Sequence, residues 1–194
     1  MKTGRNSIPE WSSDGILPPI NVVSSISPDR SPYVISLPDF VRRFGGTPHR
    51  RDRIRGFLQF RSELHKIGLV NGFQWINGSF LENIEEIEKR EPNDIDVVTF
   101  YYSPDGETQH SLYQSNPALF TPTKTKIEYM VDAYSMPLDY SPDILVKQSA
   151  YWYSMWSHRR DGLWKGFVQI DLCDNDDGEA MTILEKMNNE GGTL

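Results

Sequence analysis

Asp94 and Asp96 stand one residue apart in Pro92-Asn-Asp-Ile-Asp-Val-Val. Ile95, Val97 and Thr99 are strand formers, so the segment from Asp94 to Tyr102 reads as a buried strand with two acids at its mouth. Side chains alternate across a strand, which puts both carboxylates on one face, about 7 Å apart along the backbone. Held together, they repel unless a cation sits between them. Hard oxygen ligands on one rigid strand suit Mg²⁺ or Mn²⁺, with water and substrate phosphates completing the shell. An isolated Asp-x-Asp also arises where one acid caps a turn and the other is solvated. Upstream, Gly78-Ser79 lies between a strand and a helix. Free N–H groups at a helix start attract phosphate, glycine permits close approach, and a serine hydroxyl adds a hydrogen bond. Phosphate cradle, helix and paired carboxylates on the next strand form one unit suited to a metal-bound phosphate.

That unit, Gly-Ser-x(14)-Asp-Ile-Asp-Val, resembles the signature of the polymerase β-like nucleotidyltransferase superfamily, although its spacer, Phe80 to Asn93, is longer than usual there. Further stretches are similar to a little-characterised bacterial group of nucleotidyltransferase-like proteins: Ile8-Pro-Glu-Trp with Gly15-Ile-Leu-Pro-Pro, Trp75-Ile-Asn-Gly-Ser-Phe, and Arg159-Arg-Asp-Gly with Lys165-Gly. The resemblance implies a nucleotidyltransferase-like α/β (α+β) fold. It also implies a third carboxylate on a neighbouring strand, completing a two-metal site and serving as general base toward the attacking hydroxyl. Two residues qualify. Asp132 lies in Tyr129-Met-Val-Asp-Ala-Tyr and Asp171 in Phe167-Val-Gln-Ile-Asp-Leu. Asp132 is preferred, because an unpaired acid in an apolar strand is costly and a metal accounts for it. The implied reaction moves a nucleoside monophosphate from an NTP or dNTP to a hydroxyl acceptor on a protein, a nucleic-acid end or another nucleotide. Such chemistry would suit a bacterial toxin–antitoxin pair or anti-phage defence. The rival expectation is a catalytically silent fold that binds a partner protein or nucleic acid.

Arg159, Arg160 and Lys165 flank Gly162 in a tight turn. Guanidinium forks bind the β and γ phosphates or leaving pyrophosphate well, though a solvated basic turn has the same composition. Tyr151, Trp152, Tyr153 and Trp156 suit either a base-stacking surface or a core. Between Val41 and Arg61, seven arginines face one acid, Asp52. The periodicity of Ile54, Phe57, Leu58, Leu64 and Ile67 makes this a helix from about His49 to Ile67, with a buried stripe and a basic back. Its Arg50–Arg61 stretch would be either a solvated surface or a contact for a nucleic acid or acidic partner. The four histidines share no zinc-ligand spacing. Asp174-Asn-Asp-Asp-Gly puts Glu179 where a calcium loop needs its turn glycine, which excludes that site. The lone Cys173 reads as structural.

The elements that must position these groups follow from pattern. Pro9, Pro18, Pro19, Pro28 and Pro32 make residues 1–35 an extended arm, pinned by Trp11, Ile16, Leu17 and Ile20, ahead of one domain over residues 36–194. Ser36 caps a short helix ending at Gly45-Gly46. Phe73 to Asn77, Lys126 to Met136 and Gly166 to Leu172 read as strands. Leu81 to Arg90, a buried Asp143 to Trp156 and Glu179 to Asn189 read as helices, with loop or helix around Leu112 to Leu119. This order predicts a mixed sheet with helices on its faces. A net charge of −7 argues against a protein that coats nucleic acid through its field. No apolar run is long enough for a bilayer and the first residues lack an apolar leader core, so a soluble cytoplasmic protein is expected.

Overall fold

The computed structural model describes residues 8–190; residues 1–7, the first part of the expected arm, lie outside the described residues, as do 191–194. The chain folds as an α+β domain around a five-stranded mixed sheet of order β1-β5-β2-β3-β4. Strand β1 (Tyr33–Ile35) leads into α1 (Leu37–Phe44), where Ser36 Oγ accepts the Asp39 N–H as the expected cap. Thr47 caps α2 (Pro48–Lys66) in the same way, accepting the Arg50 N–H, with Pro48 in the first turn where its missing donor costs nothing. Strand β2 (Gly72–Asn77) runs antiparallel to β3 (Ile95–Tyr101). A 3₁₀ turn at Ser79–Leu81 and the short helix α3 (Ile84–Ile87) connect them, replacing the continuous helix expected over Leu81 to Arg90. Helices α4 (Gln109–Ser115) and α5 (Pro122–Tyr129) form the crossover to β4 (Val131–Pro137), which lies parallel to β3 at the sheet edge. Helix α6 (Pro142–Trp156) precedes β5 (Val168–Asp171), which slots between β1 and β2, and α7 (Asp177–Glu190) is the last element among the described residues.

The two faces of the sheet are built differently. Gln74 and Thr99 point toward α2, where Gln74 bonds both Arg61 and Thr99. Helices α1, α2 and α7 pack together on this side around Phe40, Phe44, Phe57 and Phe80. The other face carries Phe73, Trp75 and Phe100, whose rings reach Phe167 and, through it, Trp156 of α6.

Several expectations change. The stretch from Lys126 to Tyr129 is helix, because Pro122 starts α5 and Met130, at φ +58°, turns the chain so that the strand begins only at Val131. Helix α6 is buried along one side only: Trp152 and Trp156 are buried and Leu145 and Tyr153 pack partly against the core, while Val146, Tyr151 and Met155 are exposed. The basic back of α2 is smaller than expected, with Arg53 and Arg55 partly exposed on it. Arg50, Arg51 and Arg61 are buried, and each holds another part of the chain. Arg61 forks onto Asp177 and bonds Gln74 and the carbonyls of Asp171 and Cys173, tying β5 to α7. The arm is held as expected at Ile16 and Leu17, and its last three residues form β1.

Candidate active site

The N-terminal ends of β3 and β4 and the C-terminal end of β2 meet at one rim of the sheet. Asn77 pairs with Asp96 across β2 and β3, and Asp96 pairs with Asp132 across β3 and β4. Cross-strand partners share a face, so Asn77, Asp96 and Asp132 form a row on the α6 side of the sheet. Burial, and then the charges of Asp94 and Asp132, raises Asp96 to about 6, well above an ordinary carboxyl. Asp94 lies just before β3, and the Lys126 ammonium sits 2.5 Å from Asp94 Oδ2 and 3.3 Å from Asp132 Oδ2. Its hydrogen bond to Asp94 is the main cause holding Lys126 above its ordinary pKa. Asn77 is 4% exposed; its Nδ2 donates to the Trp156 carbonyl, while its Oδ1 is buried with no hydrogen-bond partner.

Gly78 follows Asn77 with φ +78°, a conformation open to glycine, and a methyl group there would collide with the Asp96 carboxylate. The backbone of the Gly-Ser turn is thus pressed against the central acid. Three sets of contacts fix the turn. Arg50 donates to the carbonyls of Phe80 and Glu82 at 2.7 Å and forks onto Glu85, whose carboxyl it holds below its ordinary value against the opposing effect of burial. Trp11 of the arm donates to the Leu81 carbonyl, and Asn83 N–H to that of Gly15. Lys165 donates to the Gly78 carbonyl and to Glu82 Oε1 at 2.6 Å, both side chains being buried.

The residues expected at the site therefore divide. Asp94, Asp96, Asp132, Gly78 and Ser79 come together. Lys165 lies behind the turn, bound to Glu82, and Arg159 pairs with Glu82, Glu88 and Asp161. Arg160 is exposed and has no ion-pair partner among the described residues. Asp171 stands opposite Phe73, at the other end of β2 from Asn77. Pattern reading missed Asn77, Glu82 and Lys126. Asn77 sits beside Gly78 in the quoted motif and differs only in being polar at a buried strand position; Glu82 and Lys126 carry no local signal. On β4, Tyr134 follows Asp132 on the same face, 40% exposed, with its ring 5.2 Å from Trp152. It lines the α6 side of the acids.

Among the described residues, no three His, Cys, Asp or Glu side chains converge, as they lie, into a group that could hold a metal ion. The donor set nevertheless fits a hard divalent cation in kind: carboxylates on two adjacent strands and, beside them, an amide oxygen left without a donor.

Fold and site together define an α+β domain with an aspartate cluster at one rim of a mixed sheet, bordered by a glycine turn. Over residues 9–171 the chain matches a family of unknown function, DUF6932, and it belongs to that family. The match takes in the arm from Pro9 and ends with β5. No curated protein and no solved structure matches the chain.

Proposed function

We propose that the chain is a Mg²⁺- or Mn²⁺-dependent nucleotidyltransferase of the polymerase β-like kind, moving a nucleoside monophosphate from an NTP or dNTP to a hydroxyl acceptor in the cytoplasm. One observation carries the reading: Asp96 is paired in register with Asp132, charged against Asp94, and packed on the Gly78 turn. Asp94, Asp96 and Asp132 would hold the cation, which supplies positive charge against the triphosphate and the leaving group. The chain's own groups do the rest. The turn at Gly78, without a side chain, lets phosphate oxygens approach its backbone, with the Ser79 hydroxyl as donor. Asp132, at the rim and partly exposed, accepts the proton of the acceptor hydroxyl as its oxygen bonds the α-phosphorus. The bond from that phosphorus to the β-bridging oxygen breaks, and the exposed Arg160 offers a fork to the departing pyrophosphate. Arg159 and Lys165 act from behind, by fixing the turn through Glu82. A protein acceptor or a nucleotide oligomer would suit toxin neutralisation or anti-phage defence.

The test is incubation with each α-labelled NTP and dNTP plus Mg²⁺ or Mn²⁺, alone and with cell lysate. Wild type should place label on protein, nucleic acid or free oligomers, and Asp94→Ala with Asp96→Ala should not. A second reading, a silent fold that binds a partner, draws on Lys126, whose ammonium already bridges two of the acids. Absence of label and of metal-dependent NTP binding in folded wild type would favour it.

A further inference from the structure

Three carboxylates gather at the rim and two lysines lie near them. Lys165 is matched by Glu82 at 2.6 Å and is anchored behind the Gly78 turn. Lys165 and Lys126 both offset Asp96, but only Lys126 contacts Asp94 and Asp132, and with Glu82 counted four carboxylates face two ammonium groups, so the cluster keeps a surplus of negative charge. We propose that the Lys126 ammonium is a built-in counter-ion occupying the place a divalent cation takes between Asp94 and Asp132, and that metal binding exchanges one for the other. The inference rests on the metal-dependent reading above and adds to it the residue that sets the metal affinity.

Geometry requires the exchange. A Mg²⁺ or Mn²⁺ ion bound to Asp94 Oδ2 and Asp132 Oδ2 would lie about 2.1 Å from each oxygen, whereas Nζ already lies within 2.5 Å of one and 3.3 Å of the other. Two cations cannot share that space without strong repulsion. The side chain is able to leave: it is 49% exposed, on a four-carbon stem. The helix beneath it is not. Thr125 and Tyr129 of α5 are buried, and Gly56 of α2 meets the Tyr129 carbonyl so closely that a methyl group would not fit. Displacement therefore swings one side chain and leaves α5 in place, with the freed ammonium at the mouth of the site. A second observation also points to a ligand here. The buried Oδ1 of Asn77, next to Asp96 on the same face of the sheet, is an acceptor with no donor among the described residues, at the Asp96 end of the row where a water of the cation's shell could donate to it.

The experiment is direct Mn²⁺ titration of the full chain by electron paramagnetic resonance, comparing wild type with Lys126→Met and Lys126→Arg, with thermal melts to confirm folding. Lys126→Met should bind Mn²⁺ about tenfold more tightly or better, and Lys126→Arg should stay near wild type. In parallel, Mn²⁺ should raise the reactivity of Lys126 toward an amine-acetylating reagent, read by mass spectrometry. Equal or weaker Mn²⁺ binding by folded Lys126→Met, with wild type still binding, overturns the exchange and leaves the metal-dependent reading standing. Failure of both folded proteins to bind Mn²⁺ overturns both.

Discussion

Gly78 shows how one residue type can govern a site without a side chain. Its φ of +78° and the Asp96 carboxylate lying where a Cβ would go leave no room for alanine. Gly78→Ala must push Asp96 out of the row or flatten the turn. The expected outcome is a loss of stability of about 1 kcal/mol from the backbone alone, with Mn²⁺ affinity and nucleotide labelling falling much further than stability does. A thermal melt beside a Mn²⁺ titration separates the two effects. At this scale the sequence was half legible. Asp94 and Asp96 announce a shared face because their spacing matches the strand period, and Asp132 stood out as an acid among apolar neighbours. Lys126 and Glu82 gave no such signal. Their roles depend on residues brought to them by the fold, Asp94 and Asp132 for one and Lys165 for the other.

Helices α2 and α5 touch through Gly56, and that contact fixes the element from which Lys126 reaches the acids. Adding a methyl group at Gly56 drives it into the Tyr129 carbonyl, which the backbone can relieve only by moving apart. Gly56→Ala should cost about 2 kcal/mol, lowering Tm by roughly 4–8 °C in a chain of this size. Differential scanning calorimetry reads it. Elements with one clear period were readable in advance, α2 and β3 above all. Lys126-Ile-Glu-Tyr-Met alternates like a strand, yet Pro122 at the helix start and the left-handed Met130 make its first four residues helix. The arginines of α2 misled for a different reason. Their charge suggested solvent, but Arg50, Arg51 and Arg61 are satisfied by Glu85, Asn188 and Asp177, each far along the chain. Three of the seven arginines in that segment are therefore interior struts, which weakens α2 as a nucleic-acid contact.

Across the molecule, charge and burial set the limits of stability. Tyr33, Tyr101 and Tyr129 are each pushed up to about 12, chiefly by burial. The folded chain therefore keeps these phenolic protons where the unfolded chain, with ordinary values near 10, begins to lose them. Their contribution is fully present below pH 10 and is lost as pH rises toward 12. Denaturant midpoints should fall across that window, together with a delayed phenolate absorbance change that moves earlier on unfolding. The mixed sheet with flanking helices was foreseeable from element order, but the strand order was not, because register depends on long-range pairing that no local pattern encodes. No helix among the described residues is long and apolar enough to cross a membrane. The central position of β5 has a further consequence, in the order of events during synthesis. Among the described residues β1 has β5 as its only neighbour in the sheet, and β2 waits for β5 on one side. Until Val168–Asp171 has emerged from the ribosome, the sheet stays split, with β1 unpaired and one edge of β2 open. Strands β2, β3 and β4 can pair with one another before that, but β1 and the open edge of β2 wait for β5 and are exposed to edge-to-edge association until it arrives.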